Sequence, residues 1–137
     1  MYFFSTDLLL RDQYVSVWCY PIDGIIYHKF HKYCYGEIFR EMLTTSLEAF
    51  EEHKCTKWLS DDRKFGAILP ADKEWGDKFW RPRMLAAGWK YWAMVLPEKV
   101  TGKMNIEKLV QEYEGLGVTV SYHSDPESAL ALFRNQR

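Results

Sequence analysis

The chain alternates short apolar stretches with amphipathic ones, and two different periods identify its elements. From Tyr14 to Tyr20, Val15, Val17 and Cys19 fall on one face and Tyr14, Ser16, Trp18 and Tyr20 on the other. A period of two predicts a half-buried strand. Pro21-Ile22-Asp23-Gly24 predicts a turn, with proline presetting φ and glycine free to take a positive one. Ile25 to His31 then returns antiparallel as the second strand of a hairpin. Between Gly36 and His53 the period changes. Phe39, Leu43, Leu47 and Phe50, flanked by Met42 and Ser46, recur at helical spacing. Thr56 to Ser60 is the third predicted strand.

Pro70 suits the first turn of a second helix, whose positive N-terminal end Asp72 and Glu74 favour. Pro82 cannot continue a helical ladder, so a kink or break is expected near Phe79 to Arg81, with Gly88 closing the element. Tyr91 to Leu96 is continuously apolar, as in a central strand covered on both faces. Ile106, Leu109, Val110 and Tyr113 mark a third helix, stopped by Gly115 and Gly117. Val118, Val120 and Tyr122 alternate with Thr119, Ser121 and His123, which predicts a strand nearer the edge. Ser124-Asp125-Pro126-Glu127 opens a last helix with capping-box chemistry, and Ala129, Leu130, Leu132 and Phe133 supply its buried face. The expected fold is therefore α/β: one domain over residues 1–137, in the order β-β-α-β-α-β-α-β-α. Repeated βα units make a sheet of about five strands mostly parallel, and the N-terminal hairpin makes it mixed. Whether residues 1–10 add a further strand is open.

The length of 137 residues is enough to bury roughly 70 % of the unfolded surface in one core. A net charge of −1 gives no field that would draw the chain to nucleic acid. No apolar run approaches the roughly 20 residues that span a bilayer. Met1 to Leu10 is apolar but carries Asp7 and lacks the basic start of a signal peptide, so a cytoplasmic location is expected. Cys19, Cys34 and Cys55 are widely spaced, with no CxxC, and read as buried reduced thiols. The unusual quantity is the aromatic content of 17 %, with 6 Trp, 9 Tyr and 8 Phe. Such rings fill cores, but Trp and Tyr also dominate binding surfaces.

Candidate chemistry gathers where the third strand ends. Open α/β sheets place ligands beyond the C-terminal ends of their strands. There Asp61 and Asp62 are candidates to bind a polar ligand, and Arg63 to anchor an anion; the alternative is a loop in which Arg63 pairs with its neighbour. Trp75, Phe79, Trp80 and Trp89 surround the broken helix, with Arg81 and Arg83 beside them. They form either core packing or a movable lid over an apolar pocket. His123 ends the last strand and is titratable. His28 and His31 lie three apart on a strand, so they point to opposite faces and cannot share a metal. Neither a metal site nor a cofactor is expected. Tyr14, Trp18 and Tyr20 are candidates for a dimer interface, if helices cover only the other side of their strand.

The segments Lys57-Trp58-Leu59-Ser60-Asp61-Asp62-Arg63, Leu69-Pro70 through Glu74-Trp75, Trp80-Arg81-Pro82-Arg83 and Ser124-Asp125-Pro126-Glu127 make a local pattern. From about Tyr14 onward the chain resembles the SpoIIAA-like fold of STAS domains, and more closely the small stand-alone bacterial proteins described as STAS/CRAL-TRIO-like. The resemblance implies a regulatory module working through protein–protein contact. Anti-sigma-factor antagonists of that fold are switched by phosphorylation of a Ser or Thr at the start of the helix after the third strand. Here that helix opens Leu69-Pro70-Ala71-Asp72, with no hydroxyl, and Ser60 belongs to the strand. The leading expectation is a non-enzymatic, homodimeric binding module. The second is a carrier or sensor of a small amphipathic, lipid-like ligand held under the Trp75 to Trp89 segment. The third is an enzyme using Asp61, Asp62 and His123.

Overall fold

A computed structural model describes residues 5–136. Its six-stranded sheet runs in chain order, β1 (Asp7–Arg11), β2 (Val15–Tyr20), β3 (Ile25–Phe30), β4 (Lys57–Asp61), β5 (Tyr91–Val95) and β6 (Thr119–Tyr122). β1, β2 and β3 run antiparallel to one another in turn, and β3 to β6 are parallel. The sheet is therefore mixed, as the hairpin and the βα repeats predict. It has one strand more than the five expected. Asp7–Arg11 pairs antiparallel with β2 through a bulge between Leu8 and Leu10. It is an edge strand with no alternating burial, so periodicity gave no sign of it. Met1 to Phe4, which share the open question of a further strand, lie outside the described residues.

Four helical runs connect and cover the strands. α1 (Gly36–Glu52) follows β3, and its buried residues include Phe39, Met42, Leu43, Ser46, Leu47 and Phe50, the stripe expected from the sequence. The second run is broken as Pro82 requires. α2 (Pro70–Trp75) leads into a π turn at Gly76–Trp80, and α3 (Arg81–Ala86) follows. The Arg81 amide bonds the Gly76 carbonyl five residues back. That wider turn relieves the clash between the Pro82 ring and the carbonyl four residues before it. Gly88, at φ +98°, ends α3: its amide bonds Leu85 O and the Trp89 amide bonds Met84 O. This pairing is a Schellman motif, which needs a left-handed residue. α4 (Val100–Gly115) precedes β6. α5 (Pro126–Arg134) starts at Asp125, whose side chain accepts from the Ser128 amide at 2.8 Å. Ser128 holds the position a capping-box glutamate would take, so the cap is the Asp125 half alone.

The sheet has two unequal faces. α1, α2, α3 and α4 close over the inner face, where Val17, Ile26, Phe30, Trp58, Trp92 and Met94 meet Trp80, Met84, Ile106 and Val110. α5 closes a smaller outer core of Ile25, Leu59, Ala93, Ala129 and Phe133. The three cysteines are buried and reduced among the described residues, and burial pushes the Cys34 thiol up to about 12. No helix of the described residues is long and apolar enough to cross a membrane.

Because α5 covers the centre of the outer face, its anchor should matter. Phe133 is 1 % exposed. Phe133→Ala is expected to lower the unfolding free energy by about 3–5 kcal/mol in urea titrations. A loss below ~1 kcal/mol would show that α5 is not held by this ring.

Candidate functional site

Strand alternation brings His28, Trp58, Ser60 and Trp92 to the inner face, in two adjacent rows. Ile26, Trp58 and Trp92 are paired across β3, β4 and β5, and His28, Ser60 and Met94 form the next row. Asp62 follows β4, and its amide continues the ladder by bonding Val95 O at 2.9 Å. Its side chain therefore lies on the side of Ser60, opposite to Asp61.

These side chains form one buried hydrogen-bond chain. Trp58 Nε1 donates to His28 Nδ1 at 2.9 Å. An indole N–H only donates, so Nδ1 carries a lone pair and the ring proton is on Nε2. Nε2 then donates to Asp62 Oδ1 at 3.1 Å. Ser60 Oγ donates to Asp62 Oδ2 at 3.1 Å and accepts from Trp92 Nε1 at 2.8 Å. Asp62 is 3 % exposed and His28 5 %. The carboxylate thus collects two donors without a cation. Serine, histidine and aspartate are all present, but Asp62 stands between the other two. No imidazole nitrogen reaches the Ser60 hydroxyl, so this is not the wiring of a hydrolytic triad.

The chain is the polar floor of a cavity between the inner face and the broken helix. The cavity has a volume of about 80 Å3, several times the roughly 10–15 Å3 that one water needs, so the space suits a small organic molecule. Its walls include Phe30, Phe39, Met42, Leu43, Phe65, Ile106 and the rings of Trp80, Trp89 and Tyr113. Trp80 and Trp89 stand edge to face, with centroids 5.6 Å apart. Trp80 Nε1 donates to Leu43 O at 2.9 Å and Trp89 Nε1 to Tyr91 O at 3.0 Å, which fixes both rings. Burial pushes the Tyr113 hydroxyl above its ordinary range.

Charged groups also line the cavity. Asp72, at the start of α2, accepts from the Gly36 amide and from Arg40 Nε, both at 2.9 Å, and so ties α2 to α1. Lys73 bridges Asp77 at 2.7 Å and Glu112 of α4 at 3.1 Å. Arg81 joins the same group, 3.2 Å from Asp77 and with its guanidinium 5.9 Å from the Tyr113 ring centre. These ion pairs link the broken helix to α4.

The candidates named from sequence divide between this cavity and other places. Asp62, Trp80 and Trp89 line it. Trp75 lies beside it, packed on the inner core under Arg40. Phe79 points outward, 57 % exposed. Arg81 and Arg83 do not reach in as free cations: Arg83 pairs with Glu51 on the surface. Asp61 lies on the outer face and is gripped by Arg63 Nε and Nη2 at 2.9 and 2.7 Å. His123 bonds Ser121 and Ser128 beside α5, and burial holds its pKa below the ordinary value. Asp61, Asp62 and His123 therefore do not converge. Tyr14 packs against the inner core under Lys32, and Tyr20 against the outer core. Trp18 stays on the outer face, stacked on Tyr27 at 4.8 Å. His31 bonds Ser16 on the side opposite to His28, as the strand period required.

His28, Ser60 and Trp92 were not singled out from sequence as site residues. The period of two puts Trp58 and Ser60 on one face of β4 and Ile26 and His28 on one face of β3. The pairing of His28 with Asp62, 34 residues apart along the chain, is not readable. Among the described residues no cluster of His, Cys, Asp and Glu is arranged to hold a metal ion. No protein-family model matches the chain, and no curated protein or solved structure matches it.

Two measurements check the wiring. Long-range 1H–15N correlation spectra are expected to show His28 protonated at Nε2 and bare at Nδ1; a protonated Nδ1 would reverse the chain. Trp58→Phe keeps a ring but removes the donor, and should cost about 1–3 kcal/mol in urea unfolding.

Proposed function

We propose that this chain is a non-enzymatic binding module that carries or senses a small amphipathic molecule in the cavity under the Trp75 to Trp89 segment. The observation that carries this reading is an aromatic-walled space of about 80 Å3 with a satisfied polar floor. Ligand sites are typically apolar concavities with a few fixed polar groups, and this one has that composition. The enclosing segment contains a π turn, a feature that is frequent at functional sites. The STAS-like resemblance belongs to the same proposal: it supplies a regulatory class, in which occupancy of the cavity would alter contact with a partner. Ser60, 1 % exposed and committed to Asp62, is not offered for phosphorylation.

The test uses n-butanol as a neutral probe on the intact protein. Binding is expected to shift the indole N–H resonances of Trp80, Trp89 and Trp92. At tenfold excess over Kd it should also raise the melting temperature by about 5 °C. If neither n-butanol nor n-butylammonium nor butyrate moves those resonances at tens of millimolar, the cavity is not a binding site.

The outer face supports a second reading, self-association. α5 packs mainly on β4 and β5, which leaves a stripe on β1 to β3. Leu8, 51 % exposed, lies opposite Trp18, and Trp18 opposite Tyr27. On this reading Trp18→Ala lowers the dimer fraction at least tenfold in sedimentation velocity while circular dichroism is unchanged. An unaltered mass distribution at low micromolar concentration removes it.

A further inference from the structure

The reading of the cavity as a ligand site leaves its chemistry open, and the hydrogen-bond inventory of the floor and walls narrows it. We propose that the ligand is an organic ammonium whose cationic head is held by Asp62 among the indole rings; this rests on the cavity being a binding site at all.

The nitrogen donors an anion could use are already committed, which leaves the Tyr113 hydroxyl, a group that can donate or accept. The N–H groups of Trp58, Trp80, Trp89 and Trp92 donate to His28, Leu43 O, Tyr91 O and Ser60. The Nε2 proton of His28 and the hydroxyl proton of Ser60 both go to Asp62. Lys73 is drawn to Asp77 and Glu112. An incoming carboxylate or phosphate would meet the Asp62 charge and no free nitrogen donor on the floor.

Acceptor capacity remains on the floor. A carboxylate offers about four lone-pair sites, and the floor uses two, one on each oxygen of Asp62. A donor on the ligand therefore has somewhere to bond. Charge balance points the same way. Asp72 has Arg40, while Asp77 and Glu112 share Lys73 and Arg81. Asp62 alone has no such partner: its one ion-pair contact is His28, whose Nδ1 must stay unprotonated to accept from Trp58. A buried carboxylate facing a cavity without a counter-ion is costly, and a ligand cation removes that cost. The walls add the complementary field, because the faces of Trp and Tyr rings attract cations within about 6 Å. Trp58, Trp80, Trp89, Trp92 and Tyr113 all line the space. The cavity accommodates only a few heavy atoms, so the head belongs to a small amine rather than to a peptide.

The experiment compares three probes of equal chain length on the intact protein: n-butylammonium, n-butanol and butyrate, each followed by the Trp N–H resonances. The expected result is that n-butylammonium binds at least tenfold more tightly than n-butanol, with butyrate weaker still. In Asp62→Asn the ammonium preference should fall to within threefold while n-butanol affinity is retained. The wild-type ranking stands alone as a test if that variant fails to fold. Equal affinities, or a preference for n-butanol or butyrate, overturn the ammonium assignment and leave the cavity reading intact. No binding by any probe overturns both.

Discussion

Everything on the inner face is arranged around a carboxylate that has been taken out of water. Burying Asp62 would cost several kcal/mol if its oxygens were left bare. The fold offsets that cost with donors drawn from two strands: His28 on β3 and Ser60 on β4, each backed by an indole. The network fixes more than a pair of side chains. It holds only if β3, β4 and β5 keep their present register, since a one-residue slip of any strand turns its contribution to the outer face. His28, Trp58, Ser60 and Trp92 thus act as a lock on three parallel and near-central strands. Conserving packing alone would not demand that lock, because an apolar row would pack there at lower cost.

The cavity follows from the same sequence feature that breaks the helix above it. A continuous helix from Pro70 to Ala86 would lay an unbroken ridge of side chains on the sheet. Pro82 prevents this, and the π turn at Gly76–Trp80 accommodates it by widening one turn. Trp80 is driven inward by that rotation and fixed to Leu43 O, while Phe79 is turned out to solvent. The large rings of Trp80 and Trp89 then meet edge to face, a preferred aromatic geometry that leaves gaps close-packed aliphatics would fill.

The sequence patterns make most of the secondary structure legible and only half of the site. The stripe of α1, the turn at Gly24, Pro70 at a helix start, the interruption at Pro82 and the cap at Gly88 are local signals, and each appears where it is expected. β1 is not legible, because an edge strand with two exposed flanks needs no alternation. At the site, the broken aromatic segment is local and readable, whereas its floor is assembled from residues that only tertiary pairing brings together. Asp61 and Asp62 illustrate the difference. As neighbours in sequence they read as one acidic pair, but the strand period sends them to opposite sides of the sheet. There one meets Arg63 and the other meets His28.

The floor and the mouth of the cavity differ in what it costs to disturb them. Each floor hydrogen bond is buried, so breaking one exposes an unsatisfied polar group to an apolar surrounding, at about 1–3 kcal/mol. The pairs linking α2, the π turn and α4 through Lys73, Asp77, Arg81 and Glu112 are a quarter or more exposed. Such pairs contribute about 0–1 kcal/mol each, and water replaces them readily. These ion pairs are therefore cheaper to open than the hydrogen bonds of the floor. Opening those pairs would leave undisturbed the strand register that shapes the floor.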